Sequence, residues 1–413
     1  MSQSRSKWKL LFLLPFPPRL DATHGGGRVI AQLLSSLATR HRIALLYFRG
    51  IDDAALDDVL RERCELAEEV TRPYTGRALG EKLFRSGRLL TSLFTLNPLW
   101  VTDWKSHEYS RRIRSLVQAW QPDIIQIEYH VMGQYLSSLN GSAAPRVLTA
   151  HEPGIRSAPY LSHLHPFWSR SVHALDRLAW KRFEAAIVRR VQAVVVFTEH
   201  DKKVLEPFTM PTPIVTIQPG TLIPEQPTNP ATSLSSSLLF VGSFIHPPNV
   251  DAALRLAQAV FPMVQERYPQ LKLFVVGDQP PSKLMKMASP QIIVTGRVPD
   301  VRPYLERATL FVAPLQLGGG IRIKVLEALA AGKAVVASRL AAEGLDVLDG
   351  REIALAGTDE EFADRIVQLL GDADRRASLG RRARAWACAN LGWDNSIAEY
   401  ERLYDLLLRR AAA

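Results

Sequence analysis

Short apolar runs alternate with longer amphipathic stretches along almost the whole chain, and no other feature of the sequence restricts its fold as much. A run too short for a helix, followed by a stretch with helical spacing, reads as a βαβ unit, and repetition of that unit builds a parallel sheet covered by helices. In the first half the runs predict strands over 9–14, 43–48, 124–127, 147–149, 193–197 and 214–217, with a helix over 28–39 after a Gly-rich turn. In the second half they predict strands over 238–241, 271–276, 291–294, 310–313 and 334–337. Residues 359–409 keep helical spacing without a strand signal, so two or three closing helices are expected. At 413 residues the chain exceeds one hydrophobic core, which implies two domains. The expected division is 1–222, a linker over 223–237 rich in proline and small polar residues, 238–391, and a C-terminal helix over 392–413 that packs back on the first domain.

Composition narrows the class. Hydrophobic residues at 47% and charged residues at 22% suit a folded soluble protein. The early apolar run Leu10–Phe16 is broken by Pro15 and lacks a small-residue cleavage site, so a buried first strand fits better than a signal peptide. Cys64 and Cys388 stand far apart without metal-ligand spacing and read as free thiols of a reducing cytoplasm. The net charge of +10 is uneven, with 29 Lys+Arg against 21 Asp+Glu through Pro230 and 22 against 20 beyond it. Nucleic acid is not the expected partner, because no zinc-finger, RNA-recognition or basic-zipper pattern occurs. The basic, apolar segment over 77–94 fits either a peripheral contact with an anionic membrane, at its inner face, or an ordinary amphipathic helix docked on the first domain.

Two glycine clusters carry chemical signals. Gly25, Gly26 and Gly27 follow the first strand and precede a helix, where backbone N–H groups can approach a phosphate. The spacing is neither that of a dinucleotide fingerprint nor that of a Walker loop, so a plain flexible loop explains it equally well. The second cluster is richer: Gly318, Gly319 and Gly320 form an exposed turn after a strand, a helix starts at once, and Gly332 stops it before another strand. Arg322 and Lys324 lie near this anion site, and Glu327, two turns into the helix, can accept hydrogen bonds from ribose hydroxyls. His151 closes an apolar strand, at the carboxyl edge where ligands of parallel sheets gather; Glu128 and Glu152 are weaker candidates nearby.

The segment 315–338 resembles the nucleotide-sugar-binding helix of the retaining GT-B glycosyltransferases of family 4, also called glycosyl transferases group 1. Phe240-Val-Gly-Ser243, Pro248-Asn249-Val-Asp251, Val276-Gly277, Thr295-Gly296, Ala342-Glu343-Gly344-Leu345 and Glu361-Phe362-Ala363 resemble blocks of that family in the same order. In the first half the likeness is limited to the Gly-rich turn, Thr149-Ala150-His151-Glu152 and Phe197-Thr198-Glu199. The resemblance implies a GT-B fold of two Rossmann-like domains whose parallel sheets face a central cleft. It implies transfer from a nucleotide diphosphate sugar, with retention of configuration, to a glycan, lipid-linked or small-molecule acceptor in polysaccharide biosynthesis. No cofactor and no metal are implied. His151 would contact the transferred sugar. The glycines Gly318–Gly320 would hold the diphosphate, the backbone near Arg297 and Val298 the base, and Glu327 the ribose, with Ser243, Gly25, Gly26, Gly27, Arg322 and Lys324 also counted to the donor site. Two departures stand out. Gly319 replaces a second glutamate common in the family, and the loop Ser243–Asn249 lacks the usual arginine and lysine, for which Arg322 and Lys324 could compensate. A sugar-nucleotide epimerase of the same fold and an inactive sugar-nucleotide binder are the competing readings.

Overall fold

The computed structural model describes residues 7–22, 24–51, 53–73, 97–153, 169–228 and 236–412. The segment over 77–94, read either as a membrane contact or as a docked amphipathic helix, and residues 229–235 of the expected linker lie outside them. The chain divides into two compact units: residues 1–22, 26–218 and 397–413 form the first, and residues 23–25 and 219–396 the second.

The first unit holds a seven-stranded parallel sheet of β1 (Lys9–Leu14), β2 (Arg42–Arg49), β3 (Leu66–Thr71), β4 (Ile124–Glu128), β5 (Arg146–Ala150), β6 (Ala193–Val196) and β7 (Ile214–Thr216), in the order β3-β2-β1-β4-β5-β6-β7. Strands β1 and β6 are nearly continuous apolar runs because both faces are covered. Leu10 to Leu14 have no exposed surface. Strand β3 was not predicted, since its Leu-Ala-Glu-Glu-Val-Thr is half polar, as suits an edge strand. The helix Gly25–Leu37 starts three residues earlier than expected, taking the glycines into its first turn. The helices Asp58–Arg63, Leu99–Asp103, His107–Trp120, Ser169–Val188 and Glu199–Thr209 and a 3-10 stretch over His130–Leu139 complete the crossovers. The last helix, Trp393–Ala412, belongs to this unit from Ile397 onward. There Ile397, Tyr400, Leu403, Tyr404 and Leu407 are buried, a spacing of three and four residues that makes one apolar stripe.

The second unit holds a six-stranded parallel sheet: β8 (Ser237–Val241), β9 (Lys272–Val276), β10 (Ile292–Gly296), β11 (Leu310–Ala313), β12 (Val335–Ala337) and β13 (Ala354–Leu355), in the order β10-β9-β8-β11-β12-β13. Two-residue β13 is too short to have been read from periodicity. Both sheets reverse their strand order at one place, between β1 and β4 and between β8 and β11. Loops leaving the carboxyl ends of the two strands there diverge to opposite sides, which opens a crevice that ligands use. Both cysteines carry free thiols, and burial pushes Cys64 up to about 12.

Candidate functional site

In the first unit the candidate site lies at the carboxyl ends of β4 and β5, next to the switch point, and at the start of the helix Gly25–Leu37, which follows β1. His151, directly after β5, is buried, and its Nε2 lies 2.6 Å from Oε2 of Glu128 at the end of β4. Glu128 is 1% exposed. A carboxylate accepts only, so Nε2 is the nitrogen that donates to Glu128, and in the neutral ring Nδ1 is then the one with the lone pair. Nδ1 lies 3.6 Å from where a Cβ on Gly26 would stand, so it faces the glycine turn.

Two aromatic rings hold the imidazole. Tyr129 stacks on it at 4.0 Å with 1° between the planes, and Phe197 meets it edge-on at 4.9 Å. Tyr129 adopts φ 68°, ψ 142°, a conformation that costs a side-chain-bearing residue about 1–3 kcal/mol. That turn lays the ring over His151. It also explains Gly26, because a Cβ there would stand 1.8 Å from the Tyr129 hydroxyl. Sequence reasoning missed Tyr129, since an aromatic beside an apolar strand reads as core. Glu152 is half-buried, and its carbonyl accepts from Nε2 of His130. Burial lowers the His130 pKa to about 4, against that hydrogen bond, which raises it.

In the second unit the expected residues gather on loops leaving β8, β10 and β11. The Gly318–Gly320 turn is less exposed than expected: Gly319 and Gly320 are buried, and Gly318 and Gly320 take φ of 114° and 68°. The cause is Arg322, itself buried, whose Nη1 donates to the carbonyls of Gly319 and Gly320, the latter at 2.7 Å. Arg322 therefore shapes the turn from inside. The following helix is Ile323–Ala330, so Glu327 stands about one turn in rather than two, half-buried. Arg297 is exposed and Val298 half-buried, just beyond β10 and the positive-φ Gly296.

Lys324 supplies the cation that the Ser243–Asn249 loop lacks in sequence. Its Nζ lies 2.5 Å from Asn249 Oδ1 and 4.7 Å over the ring of Phe240. Asn249 in turn donates to the carbonyl of Ser243 at 2.7 Å. Ser243 Oγ is buried and has no hydrogen-bond partner among the described residues. The helix Pro247–Arg255 opens beside this loop and adds the partial positive charge of its N-terminus. A Cβ on Gly242 would stand 2.9 Å from Lys324 Nζ, so glycine is what lets the ammonium approach the loop backbone. The cluster has the donors and charge to hold an anion. Among the described residues, no group of three or more His, Cys, Asp or Glu side chains is placed to hold a metal ion, and no helix is long and apolar enough to cross a membrane.

The chain matches the family described as Glycosyltransferase Family 4 over residues 23–221 and that described as Glycosyl transferases group 1 over 235–372. Among curated proteins it is 32% identical over 168 residues to the GDP-mannose-dependent alpha-(1-6)-phosphatidylinositol monomannoside mannosyltransferase of Mycolicibacterium smegmatis, covering 37% of this chain and 43% of that protein. It is 26% identical over 182 residues to an uncharacterized glycosyltransferase of Methanocaldococcus jannaschii, covering 41% and 45%. The matched stretches thus span less than half the length of these relatives. Among solved structures, sucrose-phosphate synthase from Thermosynechococcus elongatus superposes with a TM-score of 0.73 at 17% identity, over 97% of this chain and 100% of that one. The Anabaena protein HepE in complex with UDP and glucose gives 0.66 at 14%, over 96% and 99%. These likenesses identify the architecture as two Rossmann-like units of the GT-B kind.

Proposed function

The chain belongs to the glycosyltransferases of group 1, family 4, and from that premise we propose that it transfers a sugar from a nucleotide diphosphate sugar to a glycan or lipid-linked acceptor with retention of configuration. The observation that carries this reading is the anion site of the second unit: Lys324 drawn onto the Ser243 loop, whose buried hydroxyl has no partner among the described residues. In the proposal, Ser243 Oγ, Lys324 and the amides of the Gly318–Gly320 turn take the diphosphate. Glu327 accepts from the ribose hydroxyls, and the backbone of Arg297 and Val298 borders the base.

Cleavage of the donor leaves two phosphates with added negative charge, and a fixed ammonium stabilises that charge more in the transition state than in the ground state. Lys324 and the helix N-terminus thus perform the task that a divalent cation performs elsewhere, and turnover is expected to persist in a chelator. His151 is assigned to the transferred sugar: its Nε2 is committed to Glu128, and Nδ1 accepts from a sugar hydroxyl. UDP and glucose in HepE and GDP-mannose in the mycobacterial relative are reasonable first donors.

The test is calorimetric titration of UDP, GDP, ADP and dTDP against the protein and its Lys324→Met variant. One nucleotide is expected to bind, at least tenfold more weakly to the variant, about 1.4 kcal/mol. Equal affinity in the two proteins would remove Lys324 from the site, and no binding of any nucleotide would remove the function.

A further inference from the structure

A glutamine, a glutamate and a threonine lie buried in the middle of the first sheet, where a parallel strand covered on both faces is ordinarily apolar throughout. On β4 the alternation separates them from their neighbours: Ile125 and Ile127 belong to the apolar core on one face, while Gln126 and Glu128 point to the other. Tyr404 of the last helix reaches that other face. Its hydroxyl donates to Gln126 Oε1 at 3.0 Å. Gln126 Nε2 donates to Glu128 Oε1 at 3.1 Å and to Thr149 Oγ1 at 2.5 Å. The other carboxylate oxygen of Glu128 takes His151 Nε2. Tyr400, one turn earlier on the same helix, is buried against the Tyr404 ring at 5.9 Å.

Resting on the assignment of His151 to the sugar, we infer that Tyr404 and Gln126 are positioning residues that set the orientation and tautomer of His151 through Glu128. The argument is one of donor and acceptor polarity. A carboxylate accepts only, so the amide must turn its NH2 toward Glu128, and its oxygen then needs a donor on the far side. The Tyr404 hydroxyl is that donor. Burial, reinforced by Tyr400 and by the charge of Glu128, keeps the phenol protonated and so able to donate. Without it the amide oxygen is left unpaired in a dry interior, and rotation of the amide turns an oxygen toward an oxygen. The carboxylate then loses the bond that fixes its plane, and the imidazole loses its fixed partner. Docking of the helix itself does not depend on this hydroxyl. It has the apolar stripe and the bonds of Glu401 to His41 and Arg40.

The experiment uses Tyr404→Phe in the full chain, which keeps the ring packed against Trp8 and Tyr400 and removes one oxygen. Two quantities are read: nucleotide release from UDP-glucose or GDP-mannose, and the imidazole 15N shifts of His151, which need no substrate. Expected are a fall in kcat on the order of tenfold, the lower end of what loss of an outer partner costs a metal-ligating histidine, an unchanged KM for the donor, and a shift from a single Nε2-protonated tautomer to a mixture. Gln126→Met, which breaks the chain one bond later, is expected to reproduce both effects. Unchanged 15N shifts in a folded variant overturn the inference, as does a lowered melting temperature with kcat intact. A fully active His151→Ala protein sinks the assignment of His151 to the sugar instead, and the 15N comparison then still reports whether Tyr404 sets the tautomer.

Discussion

An imidazole with one nitrogen committed to a buried carboxylate presents only its second nitrogen to a ligand, and at His151 that nitrogen faces the glycine turn. Removal of the ring should therefore act on the sugar and spare the nucleotide. His151→Ala is expected to lower kcat at least tenfold, about 1.4 kcal/mol, while the calorimetric affinity for the nucleotide alone stays within a factor of two or so. Parallel loss of both, together with a lower unfolding temperature, would make His151 a structural residue. His151 was legible because it ends an apolar strand of a parallel sheet, and a polar residue at such an end meets ligands. Tyr129, Gln126 and Tyr404 were not. A tyrosine beside a strand has the pattern of core, its positive φ is invisible in one dimension, and residues 126 and 404 meet only in the folded chain. The approach of Lys324 to the Ser243–Asn249 loop was half legible. The missing cation and a nearby lysine could both be read, but the hydrogen bond to Asn249, 75 residues away, could not.

At the scale of elements, the anion site depends on how closely the loops after β8 and β9 cross. Gly277, after β9, lets its backbone pass the Gly242 carbonyl so closely that a Cβ would stand 1.8 Å from that oxygen. Phe244 N donates to the carbonyl of Asp278 at 2.9 Å and Gly242 N to that of Val276 at 3.0 Å, so neither loop is free to retreat. Gly277→Ala must therefore displace backbone, and the cost is expected to be on the order of 2–4 kcal/mol of stability. The loop carrying Ser243 should move with it. A lowered urea midpoint accompanied by at least tenfold weaker nucleotide binding is the expected pair of outcomes; a variant as stable as the parent would mean that the loops part easily. The central strands of both sheets were readable from their apolar runs. β3 and β13 escaped because an edge strand is half polar and a two-residue strand has no period. The helix starts moved because glycine, weak as a helix former, was assigned to the turns, whereas Gly25–Gly27 form the first turn of their helix.

For the whole molecule, acid stability has an identifiable source in a histidine that the proposed chemistry does not use. His130 is 1% exposed, with Glu184 Oε1 3.4 Å from its Nδ1, the Glu152 carbonyl on its Nε2, and Trp180 at 6.2 Å. Burial brings its pKa down from 6.5 to about 4, so the folded protein holds it neutral where the unfolded chain already binds a proton. Below pH 6.5 the unfolded state therefore carries more protons at this position, and stability falls as pH falls. The contribution is complete above pH 6.5 and disappears through pH 4. Its full size is about 2–4 kcal/mol, the free-energy equivalent of lowering the pKa from 6.5 to about 4. Part of it, on the order of 1–2 kcal/mol, is lost between pH 7 and pH 5. Carboxylates of ordinary pKa stay largely ionised over that interval, and the remaining histidines are common to both proteins, so a variant isolates the term. His130→Gln keeps a polar group near the Glu152 carbonyl but cannot take up the proton. Urea unfolding at pH 7 and pH 5 is expected to give a smaller loss for the variant than for the parent by that amount, even though the variant is less stable at pH 7. The same loss in both proteins would mean that His130 titrates as it does in the unfolded chain, and that the acid sensitivity of the fold arises at another group.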